Sequence, residues 1–271
     1  VVVVGGGIAG LAIGWELLTP PDLLPAGAGV HVLEAGPRDG GNIRTERRDG
    51  YLCEWGPTGF LDDVPATMDA CRRLNLGPRL TRANEAAERR FIVRGGKLRE
   101  LPSGLFSFLG SDVLSLRGRL RVLGEPFVRP RRSDDDESVF EFARRRIGRE
   151  AAAVLVDALV TGIWAGSAAS LSLRSALPKL AALERDHGGL VRGMIAKRGA
   201  GGGATGPRGR LTSFPDGLEE LPAALAASLG SRLRLAARVT NISRLPRGGF
   251  RVEIDGAPPL EAAAVVLACP S

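Results

Sequence analysis

Gly5, Gly7 and Gly10 stand between a run of four valines and the apolar stretch Leu11 to Leu18, so a strand, a Gly-x-Gly-x-x-Gly turn and a helix follow one another directly. That spacing suits the pyrophosphate of a dinucleotide. Gly5 turns the chain tightly, Gly7 lets a phosphate approach the backbone, and Gly10 lets helix and strand touch. In a chain with 37 glycines such a turn also arises from composition, and context separates the two readings. β-branched residues precede the turn, and Ile8, Leu11, Ala12, Trp15 and Leu18 form one apolar helical face after it. A second strand, Val30 to Leu33, ends in Glu34. A carboxylate there accepts hydrogen bonds from adenosine ribose hydroxyls and repels a 2′-phosphate, which disfavours NADP.

These residues require a βαβ unit over residues 1 to 60, with a helix next at Val64 to Leu76. Beyond it, Arg90 to Val93 and Lys97 to Pro102 read as a hairpin joined by Arg94-Gly95-Gly96. From Gly104 to Val128 large apolar residues alternate with Arg117, Arg119 and Arg121. This pattern fits a helical hairpin packed in its own domain, with a surface resting on a membrane interface through snorkelling arginines as the alternative. Arg129 to Glu137 reads as a solvated charged linker, with helices next from Glu137 to Ala143 and Arg149 to Val160. Lys197 to Arg210 is a glycine-rich loop, and a helix runs from Ser213 to Leu229. Strands then recur at Leu233–Leu235, Val239–Ile242, Phe250–Ile254 and Ala264–Ala268. The expected class is mixed α/β: a Rossmann-like domain formed by residues 1–76 and 206–271, interrupted by a hairpin at 77–103 and a mostly helical domain at 104–205.

The chain has 271 residues, a net charge of +7 and 44% hydrophobic residues, an ordinary globular composition. The sequence pI is near 10.3, but the excess of arginine comes without nucleic-acid motifs, so nucleic-acid binding is not expected. No apolar run approaches the roughly 20 residues of a membrane span, and no secretory leader is visible, so a cytoplasmic setting is expected. Cys53, Cys71 and Cys269 lack disulfide or zinc spacing and read as buried free thiols. His31 and His187 have no neighbouring metal-ligand partners, and no metal site is expected. The Asn241-Ile242-Ser243 sequon reads as accidental.

Arg38-Asp39-Gly40-Gly41-Asn42-Ile43-Arg44-Thr45 and Glu54-Trp55-Gly56-Pro57-Thr58-Gly59 resemble the flavin-containing amine oxidase superfamily, in which a second-strand acid is followed by Arg-x-Gly-Gly. Many members carry Arg after the glycine pair; here it is Asn42, which weakens an amine-oxidase reading more than FAD binding. The hairpin from Arg90 to Gly104, Asp157 to Gly166 with Leu171-Ser172, and Leu211 to Leu218 resemble, more narrowly, the oxygen-dependent protoporphyrinogen oxidase family.

The resemblance spans nearly the whole chain and implies FAD, held by Gly5, Gly6, Gly7, Ile8, Ala9, Gly10, Glu34, Ala35, Arg38, Gly41, Asn42, Gly56, Pro57, Thr58, Gly59 and the backbone of Val239. It further implies that Arg90 faces a substrate propionate and that Gly162 lies against the macrocycle. The implied reaction removes six electrons from protoporphyrinogen IX with oxygen as acceptor, in haem biosynthesis, with no catalytic side chain nominated. Coproporphyrinogen III oxidation, a flavin amine oxidase or desaturase, and an inactive flavin-binding fragment stay open as alternatives. Family members run longer, so a further half is expected to complete the site. Homodimerisation and peripheral contact with the cytoplasmic membrane, or an organellar inner membrane, are compatible with the resemblance.

Overall fold

The computed structural model describes residues 1–19, 23–25, 28–84, 89–102, 105–131, 133, 135–199 and 209–270. The chain divides into two compact units, Val1–Ala83 with Gly209–Ser271, and Asn84–Arg208. Along the first stretch come β1 (Val2–Val4), α1 (Ile8–Leu18), β2 (His31–Leu33), β3 (Thr45–Arg48), β4 (Tyr51–Glu54), β5 (Phe60–Leu61), α2 (Pro65–Arg73) and β6 (Thr81–Arg82). The second unit contains β7 (Phe91–Arg94), β8 (Lys97–Glu100), α3 (Leu105–Gly110), α4 (Leu116–Leu123) and α5 (Val139–Ile147). It continues with α6 (Arg149–Ala151), a π-helical segment (Ala152–Val156), α7 (Asp157–Trp164), α8 (Leu173–Ala176), α9 (Pro178–His187) and α10 (Leu190–Gly199). The chain then returns to the first unit through β9 (Leu211–Ser213), α11 (Glu220–Leu229), β10 (Leu233–Arg234), β11 (Val239–Arg244), β12 (Phe250–Ile254), β13 (Ala257–Ala262) and β14 (Val265–Leu267).

The heart of the first unit is a parallel sheet in the order β10-β2-β1-β14. Alternate side chains of a strand point to opposite faces, and both faces here are covered. Val3 and Val32 pack under α1 and α11 with Leu11, Trp15, Leu225 and Leu229. Val2 and Leu33 face the antiparallel sheet β11-β12-β13 with Val252 and Ile254. An unbroken valine run is what a strand buried on both faces requires. Each such side chain contributes about 1.5–3 kcal/mol relative to exposure.

The hairpin β3-β4, the sheet β5-β9-β6 and the strand β13 lay outside the sequence reading. β3 and β4 form a hairpin through Asp49-Gly50, both at positive φ, 52° and 81°. Asp-Gly is the pair a type I′ turn favours and was the available signal. β13 contains Pro258 and Pro259, which argue against a strand, but it lies at the edge of its sheet, where a missing N–H is tolerated.

Some expected bounds shift. The second strand starts at His31 rather than Val30, α2 spans Pro65–Arg73 rather than Val64–Leu76, and the last helix begins at Glu220 rather than Ser213. α10 runs to Gly199, so it includes the start of the expected glycine-rich loop, whose residues 200–208 lie outside the described residues. Of the three thiols only Cys71 is buried; Cys53 and Cys269 are exposed, which corrects the expectation of three buried thiols. The charged linker is also less solvated than expected. Glu137 pairs with Arg131 and Arg145, and its side chain is 12% exposed.

In the second unit the hairpin β7-β8 forms as expected, and Val113 and Leu114 form a small core with Ala151. α5 carries Arg146 fully inside, paired with Glu125 and Glu184, while Glu125 also accepts from the N–H groups of Leu190 and Val191. No spacing in the arginine run Arg144-Arg145-Arg146 signals which member is buried.

Candidate FAD site

The cleft opens in the first unit at the carboxyl ends of β1 and β2 and has a volume of about 660 Å³. Gly5, with φ of 112°, carries β1 into the N-terminus of α1, and a side chain there would meet the Ala268 backbone. A methyl at Gly10 would overlap the Gly5 carbonyl, so this glycine sets how closely helix and strand pack. Gly7, Ile8 and Ala9 line the cleft at the start of α1, where free N–H groups and the helix dipole favour an anion. Gly40 and Gly41, at φ 85° and 59°, form the facing wall. Gly40 donates to the Gly6 carbonyl at 2.9 Å, and a Cβ on Gly41 would stand 3.0 Å from Gly7 Cα. Gly41 is therefore kept bare by the approach of the Gly7 backbone, while Gly40 packs against the Ile43 carbonyl and Pro222, and both adopt a positive φ that side chains disfavour.

Glu34 lines the cleft while its two carboxylate oxygens accept from the N–H of Gly6 at 2.6 Å and of Gly36 at 2.7 Å. A carboxylate has lone pairs to spare beyond these two bonds, so ribose hydroxyls can still be accepted. Arg38 donates to the carbonyls of Asp39, Ile43 and Gly41. Its guanidinium fastens the 38–43 loop.

Of the residues expected at the cofactor, Gly5, Gly7, Ile8, Ala9, Glu34, Ala35, Gly41, Asn42, Pro57 and Val239 line one cleft. Gly6, Gly10, Arg38, Gly56, Thr58 and Gly59 are not among the lining residues. Gly56 lets the chain pass against the Asn42 carbonyl, and a Cβ on Gly59 would lie 2.6 Å from the Thr212 carbonyl. Arg90 and Gly162 belong to the second unit. Arg90 is exposed and its carbonyl accepts from Leu101 N–H at 2.8 Å, while a Cβ on Gly162 would meet nothing within 4 Å. The lining also includes Ala237, Arg238, Ala268, Cys269 and Pro270, which motif reading missed. The last three follow β14, and the strand signal at Ala264 to Ala268 was the means of finding them.

A parallel sheet, a glycine turn at a helix N-terminus and an acid ending the second strand define a protein that binds a dinucleotide beyond the carboxyl ends of its strands. The chain belongs to the family described as flavin containing amine oxidoreductase, whose model matches residues 8–271. It is 33% identical to protoporphyrinogen oxidase 1, chloroplastic, of Arabidopsis thaliana over all of this chain and 52% of that protein. It is 29% identical to coproporphyrinogen III oxidase of Bacillus subtilis (strain 168), over all of this chain and 59% of that one. A solved structure from Exiguobacterium sp. 255-15, provisionally named a protoporphyrinogen oxidase, superposes with a TM-score of 0.77 at 29% identity, covering 99% of this chain and 59% of that one. The chain thus spans about half the length of the curated relatives it matches. FAD is the cofactor of this fold and family. The lining fits it: bare backbone able to admit a diphosphate, and a carboxylate with lone pairs available to ribose hydroxyls.

Proposed function

We propose that the protein containing this chain oxidises protoporphyrinogen IX to protoporphyrin IX in haem biosynthesis, transferring six electrons to three molecules of oxygen to give three of hydrogen peroxide. The carrying observation is a single cleft in which the Gly5–Gly10 turn, Gly40-Gly41 and Glu34 meet, in a chain one-third identical to a protoporphyrinogen oxidase. Bound FAD supplies a two-electron acceptor for hydride from a carbon bridging the pyrrole rings. The residues of this chain bind and orient. The N-terminus of α1 receives the diphosphate, Glu34 accepts from the ribose, and Val239 contacts the adenine end through its backbone.

Arg90 receives a propionate, since a planar guanidinium stays charged and pairs bidentately with carboxylate. Gly162 leaves a bare patch on α7 beside exposed Leu159 and Ile163, a surface suited to a flat macrocycle. Aromatisation of the product drives the reaction, and no protein acid or base is required.

Among the described residues no helix is long and apolar enough to cross a membrane. Phe106 and Phe127, 90% and 84% exposed, and Leu116 and Leu120 on α4 accompany Arg117, which supports peripheral contact with a membrane bearing anionic lipid. The setting is the cytoplasmic face of a bacterial membrane or an organellar inner membrane, with a homodimer as the assembly to test by light scattering.

The deciding experiment gives the full-length protein anaerobically prepared protoporphyrinogen, admits oxygen and follows porphyrin fluorescence. Appearance of fluorescence with stoichiometric peroxide is expected. Faster turnover of coproporphyrinogen, the substrate named by the Bacillus relative, would move the assignment to that reaction, and no turnover of either would end the reading.

A further inference from the structure

Among the residues lining the FAD cleft, Glu34 and Arg238 alone carry a charge at neutral pH. Glu34 is engaged by two backbone N–H groups. Arg238, in contrast, is an exposed lining residue whose side chain has no hydrogen-bonding or ion-pairing partner among the described residues. Its place is fixed all the same. Ala236 adopts a left-handed backbone with φ of 50° and donates to the Gly36 carbonyl at 2.8 Å. Ala237, 5% exposed, donates to the Glu34 carbonyl at 2.8 Å, and Asp255 N–H donates to the Arg238 carbonyl, also at 2.8 Å. The segment carrying Arg238 is thereby stapled to the segment that presents the ribose-binding acid. A non-glycine residue held at positive φ is a strain that surrounding bonds must maintain, and such strain clusters at ligand clamps.

We propose that Arg238 is an affinity-determining contact for the adenosine end of FAD, its guanidinium covering the face of the adenine ring. The position beside Glu34 selects the adenosine end, since the diphosphate is served by the N-terminus of α1 at the other wall of the turn. The chemistry selects arginine: a planar, weakly hydrated cation stacks on an aromatic face, and an ammonium does so less well. The cleft offers no aromatic side chain for this purpose. Because Arg238 has no acid to leave, engaging the ring breaks no existing ion pair.

The proposal rests on the FAD reading above. The test uses full-length apoprotein titrated with FAD and with FMN, which lacks the adenylate, followed by quenching of flavin fluorescence in wild type, R238A and R238K. R238A is expected to raise the Kd for FAD about tenfold, equivalent to about 1.4 kcal/mol, and to leave FMN binding unchanged. R238K is expected to recover less than half of the lost affinity on a logarithmic scale. An unchanged FAD Kd in R238A overturns the proposal, as does equal weakening of FAD and FMN. Full recovery in R238K also overturns it, because charge rather than stacking would then suffice. Wild-type protein that binds no FAD would instead defeat the cofactor reading.

Discussion

Glu34 and Gly10 show how few atoms the cofactor site can spare. The Glu34 carboxylate ties the glycine turn to the segment after β2 by accepting from Gly6 and Gly36, so the acid shapes the cleft before any ligand arrives. Gly10 is fixed by a different constraint, the Gly5 carbonyl immediately beside its α-carbon. Substituting Gly10 by Ala forces α1 away from β1, and a displaced helix N-terminus no longer presents its N–H groups to a diphosphate. G10A in the full-length protein is therefore expected to purify with less than a tenth of the wild-type flavin, measured as visible flavin absorbance per protein. Retention of full flavin would show that the turn tolerates a methyl. The place of Glu34 in the cleft was legible from its position at the end of a strand, whereas its two backbone bonds were not, because they join residues that only the folded turn brings together.

At the scale of elements, the hairpin β3-β4 is laced to the start of α11. Thr45 N–H donates to Glu219 at 3.0 Å, the Thr45 hydroxyl donates to Glu54 at 2.8 Å, and Glu54 accepts from Leu218 N–H at 2.7 Å. The residues leaving this lacing, Asn42 and Pro57, line the cleft. Replacing Thr45 by Val keeps the shape and removes the hydroxyl, so one Glu54 oxygen loses its donor and Glu219 N–H loses its acceptor. T45V is expected to cost about 1–3 kcal/mol, read from the midpoint of urea unfolding at unchanged slope, and T45S to restore most of it.

In the second unit the Ser115 hydroxyl and N–H, with Arg94 beyond them, lower Glu150 to a pKa of about 2. A carboxyl whose folded pKa is depressed stabilises the fold above its ordinary value, and that contribution disappears as pH falls through the folded value. Stability should therefore decline between about pH 4.5 and 2 in wild type, and E150Q should flatten that part of the profile in thermal unfolding. The arginines of α5 make the same point about legibility. Arg144 is exposed and Arg146 is wholly buried against Glu125, and only the packing of Glu125 and α9 around α5 distinguishes them.

For the molecule as a whole, the cleft is formed by segments from both ends of the chain, β1 to Pro57 and Ala237 to Pro270, while the relatives extend to about twice this length. The 271-residue chain alone is expected to bind FAD weakly and to turn over no porphyrinogen, since it covers only about half the length of the relatives named for that activity. Stoichiometric flavin in the purified chain, seen in its absorbance, would contradict this.

The sequence by itself determined the class of fold and, through the family resemblance, the cofactor, and ten of the residues it singled out line one cleft. Glycine spacing, valine runs and a strand-ending acid are local patterns, and the chemistry they serve is local too. The β3-β4 hairpin, the edge strand with its two prolines, the burial of Arg146 and the place of Arg238 on the cleft wall were decided only by tertiary structure. Each depends on which distant segment supplies the opposite hydrogen bond or the covering side chain, and residue spacing along a single chain carries no such information.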